Sequence, residues 1–220
     1  MNAGILSGNA IAAAVAAGDI QIDPFNRKQL NPASYDVTLG DEVCVYTDQV
    51  YVEEIDVFRG SDYRGNEIVL LDSIAAPSLL HGYVPSGNGV LDAKKKNPTK
   101  TVKMSRDGFL LKPGIGYLLH TAERIKTDVF VPIIDGKSSI GRLFITVHVT
   151  AGYGDPGFDG QYTLETVVTH PVIIYPGMRF GQVRFHTMLG VPDLYKEHGN
   201  YVGSDATGPV PSKSWRQFKP

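Results

Sequence analysis

Several features are scarce in this sequence, and each scarcity excludes a class of protein. Cys44 is the single cysteine, so the sequence offers neither a disulfide framework nor a thiolate-rich metal site. The six histidines form no H-x-x-x-H pair, and the chain contains no H-x-E and no C-x-x-C. Zinc sites of the helical or His/Cys kinds are therefore excluded, and we expect no metal bound by protein side chains.

Long apolar runs and a charge imbalance are missing as well. No stretch of about 18 apolar residues occurs, which argues against a membrane span. The 21 basic and 23 acidic residues give a net charge of -2, so the chain has no general attraction to nucleic acid. The one basic run, residues 94–96, is interpreted as a solvated loop. We expect a soluble, cytoplasmic protein that binds neither nucleic acid nor membrane.

Glycine and proline, in contrast, are abundant and spread along the chain, at 24 and 14 residues. This distribution predicts many short strands joined by tight turns, as in an all-β sandwich or a jelly-roll-like barrel. One short N-terminal helix is predicted over residues 9–17, with Asn9 as its N-cap and Gly18 as its C-cap. Alternating or apolar runs predict strands at 35–39, 41–46, 68–71, 108–111, 116–121, 143–149, 162–168, 172–175 and 182–186.

The chain length fits one domain, which we place at residues 1–198. Within it, residues 82–105 are predicted to form an inserted loop. Residues 199–220 are rich in Gly, Pro and Ser without periodicity, and are predicted to be a C-terminal tail that is ordered by docking.

The first candidate for chemistry is the run Gly136-Lys-Ser-Ser-Ile-Gly-Arg142. Hydroxyls of Ser138 and Ser139, beside the cation of Lys137, can hold phosphate oxygens at a turn. The spacing is not that of a Walker A loop, and an ordinary Ser-rich turn is the alternative.

Arg142 and Glu165 are the second candidate. Arg142 precedes an apolar run, where a guanidinium requires an acid or a phosphate as partner, and Glu165 is the candidate acid. Strand alternation places Thr163, Glu165 and Val167 on one face. If that face is inward, desolvation tunes the carboxyl for general acid/base catalysis; the alternative is an outward, solvated Glu.

Three further positions have open interpretations. Asp155, in Gly-Asp-Pro-Gly, either forms a turn or binds a sugar hydroxyl or a water. His148 is interpreted as a core or interface histidine. Trp215 and Phe218 either close over a bound base or anchor the tail.

The ordered motifs resemble those of the dCTP deaminase family, a trimeric branch of the dUTPase superfamily. The resemblance runs through most of the chain. It is carried by residues 18–25, 30–40, 109–114 and 135–142, by His-Val-Thr-Ala-Gly at 148–152, by Asp-Pro-Gly-Phe-Asp-Gly at 155–160, by Thr-Leu-Glu at 163–165 and by Pro-Gly-Met-Arg-Phe-Gly-Gln at 176–182.

This resemblance implies a homotrimer of distorted β-barrels of the dUTPase-like type, with active sites between subunits. It also implies metal-free hydrolytic deamination of dCTP to dUTP and ammonia, with Mg²⁺ bound only through the substrate triphosphate. By motif, Glu165 is the general acid/base that activates water against C4 of cytosine. Ser138 and Arg142 hold that carboxyl and the water.

The resemblance also implies the residues that bind the nucleotide. Backbone groups around Val149, Thr150 and Ala151 read the base, and Asp155 lies against the deoxyribose. Contacts to the phosphates are expected from Lys137 and Ser139, and from Tyr201 and Lys213 in a tail that closes over the site.

Departures from the family pattern leave the preferred phosphate length open. Tyr201 lacks the Lys or Gln that the family places beside it, and Lys213 stands where the family has Arg. An insertion is expected within residues 60–105, and Gly154 replaces an apolar residue.

Two alternatives to a dUTP-forming enzyme remain. Because the Asp155 turn resembles the water-activating loop of dUTPases, the chain is alternatively a bifunctional enzyme that releases dUMP and pyrophosphate. The altered tail supports a third reading, a non-catalytic β-barrel that binds nucleotide.

Overall fold

The computed structural model describes residues 4–47, 58–61, 67–70, 91–203 and 207–218. The helices are α1 (Gly8–Ala17), α2 (Ser138–Gly141) and α3 (Tyr195–His198), with 3-10 turns at Arg27–Gln29 and Ser214–Phe218. The strands are β1 (Gln21–Asp23), β2 (Tyr35–Thr38), β3 (Glu42–Tyr46), β4 (Phe58–Ser61), β5 (Glu67–Leu70), β6 (Thr99–Lys103), β7 (Phe109–Leu111), β8 (Tyr117–Lys126), β9 (Phe130–Gly136), β10 (Ile145–Thr146), β11 (Asp159–Val168), β12 (Val172–Ile174) and β13 (Arg179–Thr187).

Local capping explains where α1 begins and ends. The Oγ of Ser7 accepts a hydrogen bond from the N–H of Ala10, so Ser7 is the N-cap and the predicted cap at Asn9 is wrong. Gly18 ends the helix in the left-handed conformation, as predicted, with φ 85°. Within the described ranges, no helix is both long and apolar enough to cross a membrane.

Two antiparallel sheets enclose the core. One has the order β10-β11-β8-β3-β6, and β1 also pairs with β8. The other has the order β2-β13-β9. Short ladders join β12 to β7 and β4 to β5. The architecture is therefore all-β with a short N-terminal helix, as predicted.

Side chains from both sheets meet in one apolar core. Tyr35, Leu119, Leu164, Phe180 and Phe185 are each exposed by 1% or less. Burial of apolar surface of this kind is the main force that holds such a fold together. The strand β11 alternates strictly, with even-numbered residues from 160 to 168 buried and odd-numbered residues at least partly exposed. One face of β11 therefore belongs to the core, and its other face is available for a site.

The strand β6 corrects the loop that we predicted over residues 82–105. It pairs antiparallel with the whole of β3, from Glu42 opposite Lys103 to Tyr46 opposite Thr99. Its sequence, T-K-T-V-K, contains one apolar residue, so no alternation marks it as a strand. Backbone pairing with β3 forms this edge strand instead. Residues 82–90 of the predicted loop lie outside the described residues.

The strand predicted over residues 143–149 is reduced to β10. The short helix α2 precedes it, and Phe144 then adopts a positive φ of 56°. The apolar residues Leu143 and Phe144, which suggested a buried strand, are 46% and 61% exposed. These two apolar side chains therefore lie on the surface of the chain and do not pack in its core.

His120, on β8, is a buried polar residue with both ring nitrogens engaged. Its Nδ1 lies 2.9 Å from the carbonyl oxygen of Thr121, and the N–H of Glu42 donates to its Nε2 at 3.3 Å. These contacts fit the neutral ring with its proton on Nδ1. Gly40 leaves room for the ring, since a Cβ there would lie 2.0 Å from Cε1 of His120. Burial lowers the pKa of His120.

We predict that this histidine weakens the fold in acid. Because its folded-state pKa is depressed, the unfolded chain binds the proton first, and stability is lost as the pH falls below about 6.5. Thermal unfolding between pH 7.5 and pH 5.5 measures this loss. The loss of Tm is expected to be smaller in His120→Gln and unchanged in the exposed control His198→Gln. Equal pH dependence in both variants would contradict the prediction.

Candidate active site

A pocket of about 650 Å³ opens on the outer face of β11. The pocket is enclosed by the loop over residues 149–158, by the strands β3, β8 and β11, by Leu91, by Tyr195 of α3 and by the C-terminal residues after 200. Many of its walls are aromatic, as is common in pockets that bind flat ligands. Its lining includes Tyr46, Val149, Thr150, Ala151, Gly154, Asp155, Phe158, Gln161, Tyr162, Thr163, Glu165, Tyr201, Val210 and Ser212.

Glu165 is the acid of this pocket. The alternation of β11 places Thr163, Glu165 and Val167 on one face, as predicted. This face is turned away from the core and forms a wall of the pocket. Glu165 is half-buried, and its Oε2 is inaccessible to solvent and has no hydrogen-bond partner among the described residues. Burial raises the pKa of Glu165, an effect opposed by its own backbone N–H and by His148. A carboxyl with a raised pKa can both accept and release protons near neutral pH.

His148 lies behind the pocket. Its Nε2 is 2.9 Å from the carbonyl oxygen of Ile134, while its Nδ1 is buried and has no partner among the described residues. The histidine is therefore only half satisfied within the described residues, which disagrees with the core alternative of our interpretation and leaves the interface alternative open. Backbone hydrogen bonds to β9 also fix the loop that follows His148. The N–H of Ile134 donates to the carbonyl oxygen of Gly152, and the N–H of Gly154 donates to the carbonyl oxygen of Pro132.

The loop that begins at Val149 lines the pocket. Val149, Thr150 and Ala151 are all exposed and face the same space as Glu165. The loop lies close to β9 because residue 152 is glycine: a Cβ there would lie 2.4 Å from the carbonyl oxygen of Ile134. Exposed backbone groups in this position are available to the edge of a flat ligand.

Asp155 also lines the pocket. The turn that follows it is closed by the backbone, with the N–H of Phe158 donating to the carbonyl oxygen of Asp155 and Gly157 at φ 88°. The side chain of Asp155 is exposed at the pocket. The backbone therefore makes the predicted turn, and the carboxylate remains available to a ligand.

The C-terminal residues follow the outer face of β11. The N–H of Gly208 donates to Oε1 of Gln161, and the N–H of Val210 donates to Oγ1 of Thr163. Gln161 and Thr163 share their face of the strand with Glu165, so they hold the tail beside the acid. Neither was among the predicted site residues, although the alternation that located Glu165 also locates them.

Tyrosine hydroxyls complete the attachment of the tail. The hydroxyl of Tyr46 accepts from the N–H of Ser212, and the hydroxyl of Tyr201 accepts from the N–H of Lys213. Nζ of Lys213 donates to the carbonyl oxygen of Asn200 and lies 4.8 Å from the centre of the Tyr201 ring. Tyr201 lines the pocket, whereas Lys213 is not part of its described lining.

Phe218 and Ser214 of the last turn contact residues 94 and 93, whereas Trp215 contacts Arg216 of the same turn. Phe218 lies under Nζ of Lys94 at 5.5 Å, and Arg216 lies 5.7 Å from the centre of the Trp215 ring. Oγ of Ser214 donates to the carbonyl oxygen of Ala93. Neither aromatic ring belongs to the described pocket lining, so these contacts favour the tail-anchoring interpretation.

The residues of the 136–142 run lie apart from the pocket within one chain. Ser138, Ser139 and Arg142 are exposed on α2 and at its C-terminal end, and none of them is in the described lining. The expected ion pair between Arg142 and Glu165 is not formed within the chain. The reason is local: α2 continues from β9, in the sheet opposite β11, and ends at the surface.

Lys137 has a strong partner of its own. Its ammonium group binds the carboxylate of Asp36, which is 1% exposed and also binds Arg179 and Asn31. This buried carboxylate links β2, β13 and the start of α2. Three donors therefore share its charge, which is the usual condition for burying a carboxylate.

Comparison with known proteins identifies the family to which the chain is similar. A family model described as dCTP deaminase-like matches residues 5–72 and 78–188. A curated dCTP deaminase, dUMP-forming, from Clostridium beijerinckii is 34% identical over 215 residues, covering 98% of this chain and 99% of the relative. A protein of the same name from Leptospira biflexa is 35% identical over 215 residues, covering 98% of each. The family model leaves out only residues 73–77 between its matched ranges, so it includes most of the region where we expected an insertion.

A solved structure supports the fold. The crystal structure of 2'-deoxycytidine 5'-triphosphate deaminase from Agrobacterium tumefaciens matches with a TM-score of 0.54 at 22% identity. The match covers 86% of this chain, and the chain spans 49% of that chain. The predicted all-β barrel of the dUTPase-like type is thereby confirmed.

We predict that Glu165 lowers the stability of the fold at neutral pH. A carboxyl with a raised folded-state pKa contributes stability below its unfolded pKa, and that stability is lost as the pH rises through the folded pKa. Glu165→Gln is therefore expected to raise Tm at pH 7, with a smaller gain at pH 4. The exposed control Glu197→Gln should change Tm little at either pH. A lower Tm for Glu165→Gln at pH 7 would contradict the assigned burial.

Proposed function

Because the chain belongs to the dCTP deaminase-like family, we propose that it hydrolyses dCTP to dUMP, with release of ammonia and pyrophosphate. Relatives with about one third of residues identical carry the name dUMP-forming, which favours the bifunctional alternative over dUTP as the final product. The observation that carries the proposal is Glu165, a half-buried carboxyl with a raised pKa and an unpartnered oxygen in the pocket.

Glu165 performs the proton transfers of the deamination. Its carboxylate takes a proton from water as the oxygen attacks C4 of cytosine, and the carboxyl then protonates N3. A second proton passes through the same group to the exocyclic amine, which leaves as ammonia and produces the uracil ring. One residue serves in both steps because its pKa is shifted towards neutrality.

The 149–151 loop and Asp155 bind the nucleoside. Backbone N–H and C=O groups around Thr150 lie beside Glu165 in the pocket and read the polar edge of the base. The carboxylate of Asp155 accepts a hydrogen bond from the sugar hydroxyl. The tail residue Tyr201 closes the same space, and Lys213 behind it adds positive charge near the phosphates.

A second copy of the chain completes the site. Ser138 and Arg142 are exposed outside the pocket, and the pocket acid has an oxygen without a partner among the described residues. Leu143 and Phe144, shortly after α2, are 46% and 61% exposed, and Val149 at the pocket is 56% exposed. Exposed apolar patches mark protein contacts. In the proposed homotrimer, Arg142 and Ser138 of one subunit meet Glu165 of its neighbour.

The same neighbour binds the phosphates. The hydroxyl of Ser139 and the backbone N–H groups at the start of α2 donate hydrogen bonds to the phosphate oxygens, and Mg²⁺ arrives bound to the triphosphate as part of the substrate. The ammonium group of Lys137 is already bound to the carboxylate of Asp36. Lys137 therefore binds a phosphate only if Arg179 and Asn31 alone hold that carboxylate. Asp155 then orients the second water for attack at the α-phosphate, which expels pyrophosphate.

We predict that the purified protein, in the presence of Mg²⁺, hydrolyses dCTP to dUMP, ammonia and pyrophosphate. Chromatography identifies these products. Glu165→Gln keeps the shape of the side chain but removes the base, and a loss of at least about 10²-fold in kcat is expected. Accumulation of dUTP would instead show an enzyme that only deaminates. Binding of dCTP without turnover would show the non-catalytic barrel.

A further inference from the structure

The hydroxyl of Tyr162 is an unsatisfied polar group at the wall of the pocket. Tyr162 is 8% exposed, and its Oη is inaccessible to solvent and has no hydrogen-bond partner among the described residues. The ring is held firmly, because it packs 4.8 Å from the ring of Phe158 and the Tyr162 N–H donates to Oγ1 of Thr121. Buried polar groups normally find partners, so such an exception requires an explanation.

The space around this hydroxyl exists because residue 154 is glycine. A Cβ at Gly154 would lie 2.3 Å from Oη of Tyr162, well inside van der Waals contact. The backbone of Gly154 cannot retreat, since its N–H donates to the carbonyl oxygen of Pro132 at 2.8 Å. Gly154 and Tyr162 therefore fit together, and the family pattern of an apolar residue at position 154 would not accommodate this tyrosine.

The strand pairing is also irregular at this point. Gln161 pairs with Arg124 and Thr163 pairs with His120, so three residues of β8 lie opposite Tyr162 alone. Irregularities of this kind redirect side chains beside functional sites.

The negative charge that acts on the Tyr162 hydroxyl is that of Asp155, the residue after Gly154. Asp155, Gly154 and Tyr162 line the same pocket, and the charge of Asp155 adds to burial in raising the pKa of the Tyr162 hydroxyl. The hydroxyl is therefore a donor at any physiological pH. Asp155 is exposed and can rotate, and a carboxylate has lone pairs enough for two donors.

We propose that Tyr162 is a positioning residue for Asp155. When the nucleotide binds, the Tyr162 hydroxyl donates to one carboxylate oxygen of Asp155, and the other oxygen accepts the 3′-hydroxyl of the deoxyribose. In the unliganded pocket the Tyr162 hydroxyl has no acceptor. When the sugar hydroxyl binds, it selects the rotamer of Asp155 that accepts a hydrogen bond from Tyr162. This inference rests on the proposed function, because it concerns the sugar of the same nucleotide.

The test compares two substrates in Tyr162→Phe, in a control variant and in a double-mutant cycle with Asp155→Asn. Tyr162→Phe removes only the oxygen, and 2′,3′-dideoxy-CTP removes only the 3′-hydroxyl. The variant is expected to lose about tenfold in kcat/KM for dCTP, chiefly through KM, and to lose little for the dideoxy substrate. Tyr175→Phe, at an exposed tyrosine outside the described pocket lining, is the matched control and should change neither value. With Asp155→Asn already present, Tyr162→Phe should add a much smaller loss.

A measurement without any ligand separates this role from a structural one. If the hydroxyl is unsatisfied until the nucleotide binds, Tyr162→Phe keeps or raises the Tm of the unliganded protein. A lowered Tm, or an equal loss of kcat/KM for both substrates, would overturn the proposal, as would unchanged kinetics for both. If the unmodified protein neither binds nor converts dCTP, the proposed function itself fails and this inference fails with it.

Discussion

The alternation of one strand, β11, is the constraint on which the rest of the site depends. Residues 160, 162, 164, 166 and 168 are buried on its inner face, so register within the core fixes the strand rigidly. Its outer face then presents Gln161, Thr163 and Glu165 at fixed spacing. Two of these hold the C-terminal tail, and the third is the acid of the pocket. A slip of one residue would bury Glu165 in the core and expose Leu164, so folding energy and active-site geometry are set by the same pairing.

This dependence explains which parts could be predicted from the sequence. The alternation in Tyr-Thr-Leu-Glu-Thr-Val-Val was sufficient to place Thr163, Glu165 and Val167 on one face, because strand periodicity is a local property. Whether that face is turned towards the core depends on the packing of the sheets, and the sequence left both orientations open. Gly18 as a helix end was equally local. The strand β6 was missed because T-K-T-V-K has almost no apolar signal, and its strand conformation comes from pairing with β3, more than fifty residues earlier in the chain. The motif that contains Ser138 and Arg142 was located, but its separation from Glu165 within one chain could not be read from spacing.

The site contains buried polar groups without hydrogen-bond partners, whereas buried polar groups in a protein core normally have partners. Oε2 of Glu165, Nδ1 of His148 and Oη of Tyr162 are buried without partners among the described residues, and all three lie at or behind one pocket. In contrast, the buried carboxylates of Asp36 and Glu123, away from the pocket, have two or more donors each. Unsatisfied groups cost stability, and proteins keep them chiefly where a ligand or a partner supplies the missing contact. Three further buried atoms without partners among the described residues, Oδ1 of Asp128, Nε of Arg184 and Nε2 of His186, belong to residues outside the pocket lining. The three groups named for the pocket support a site that is completed by nucleotide and by a second subunit.

The central claim, that Glu165 of one chain works with Arg142 of another, is tested most directly by mixing inactive variants. Glu165→Gln and Arg142→Ala should each be inactive alone, since every site lacks one partner. Co-expressed in equal amounts, they should form mixed trimers in which about one quarter of the sites combine an intact Glu165 with an intact Arg142. Activity near a quarter of the unmodified enzyme is the predicted result. No recovery of activity in trimers shown to be mixed would contradict a site shared between subunits.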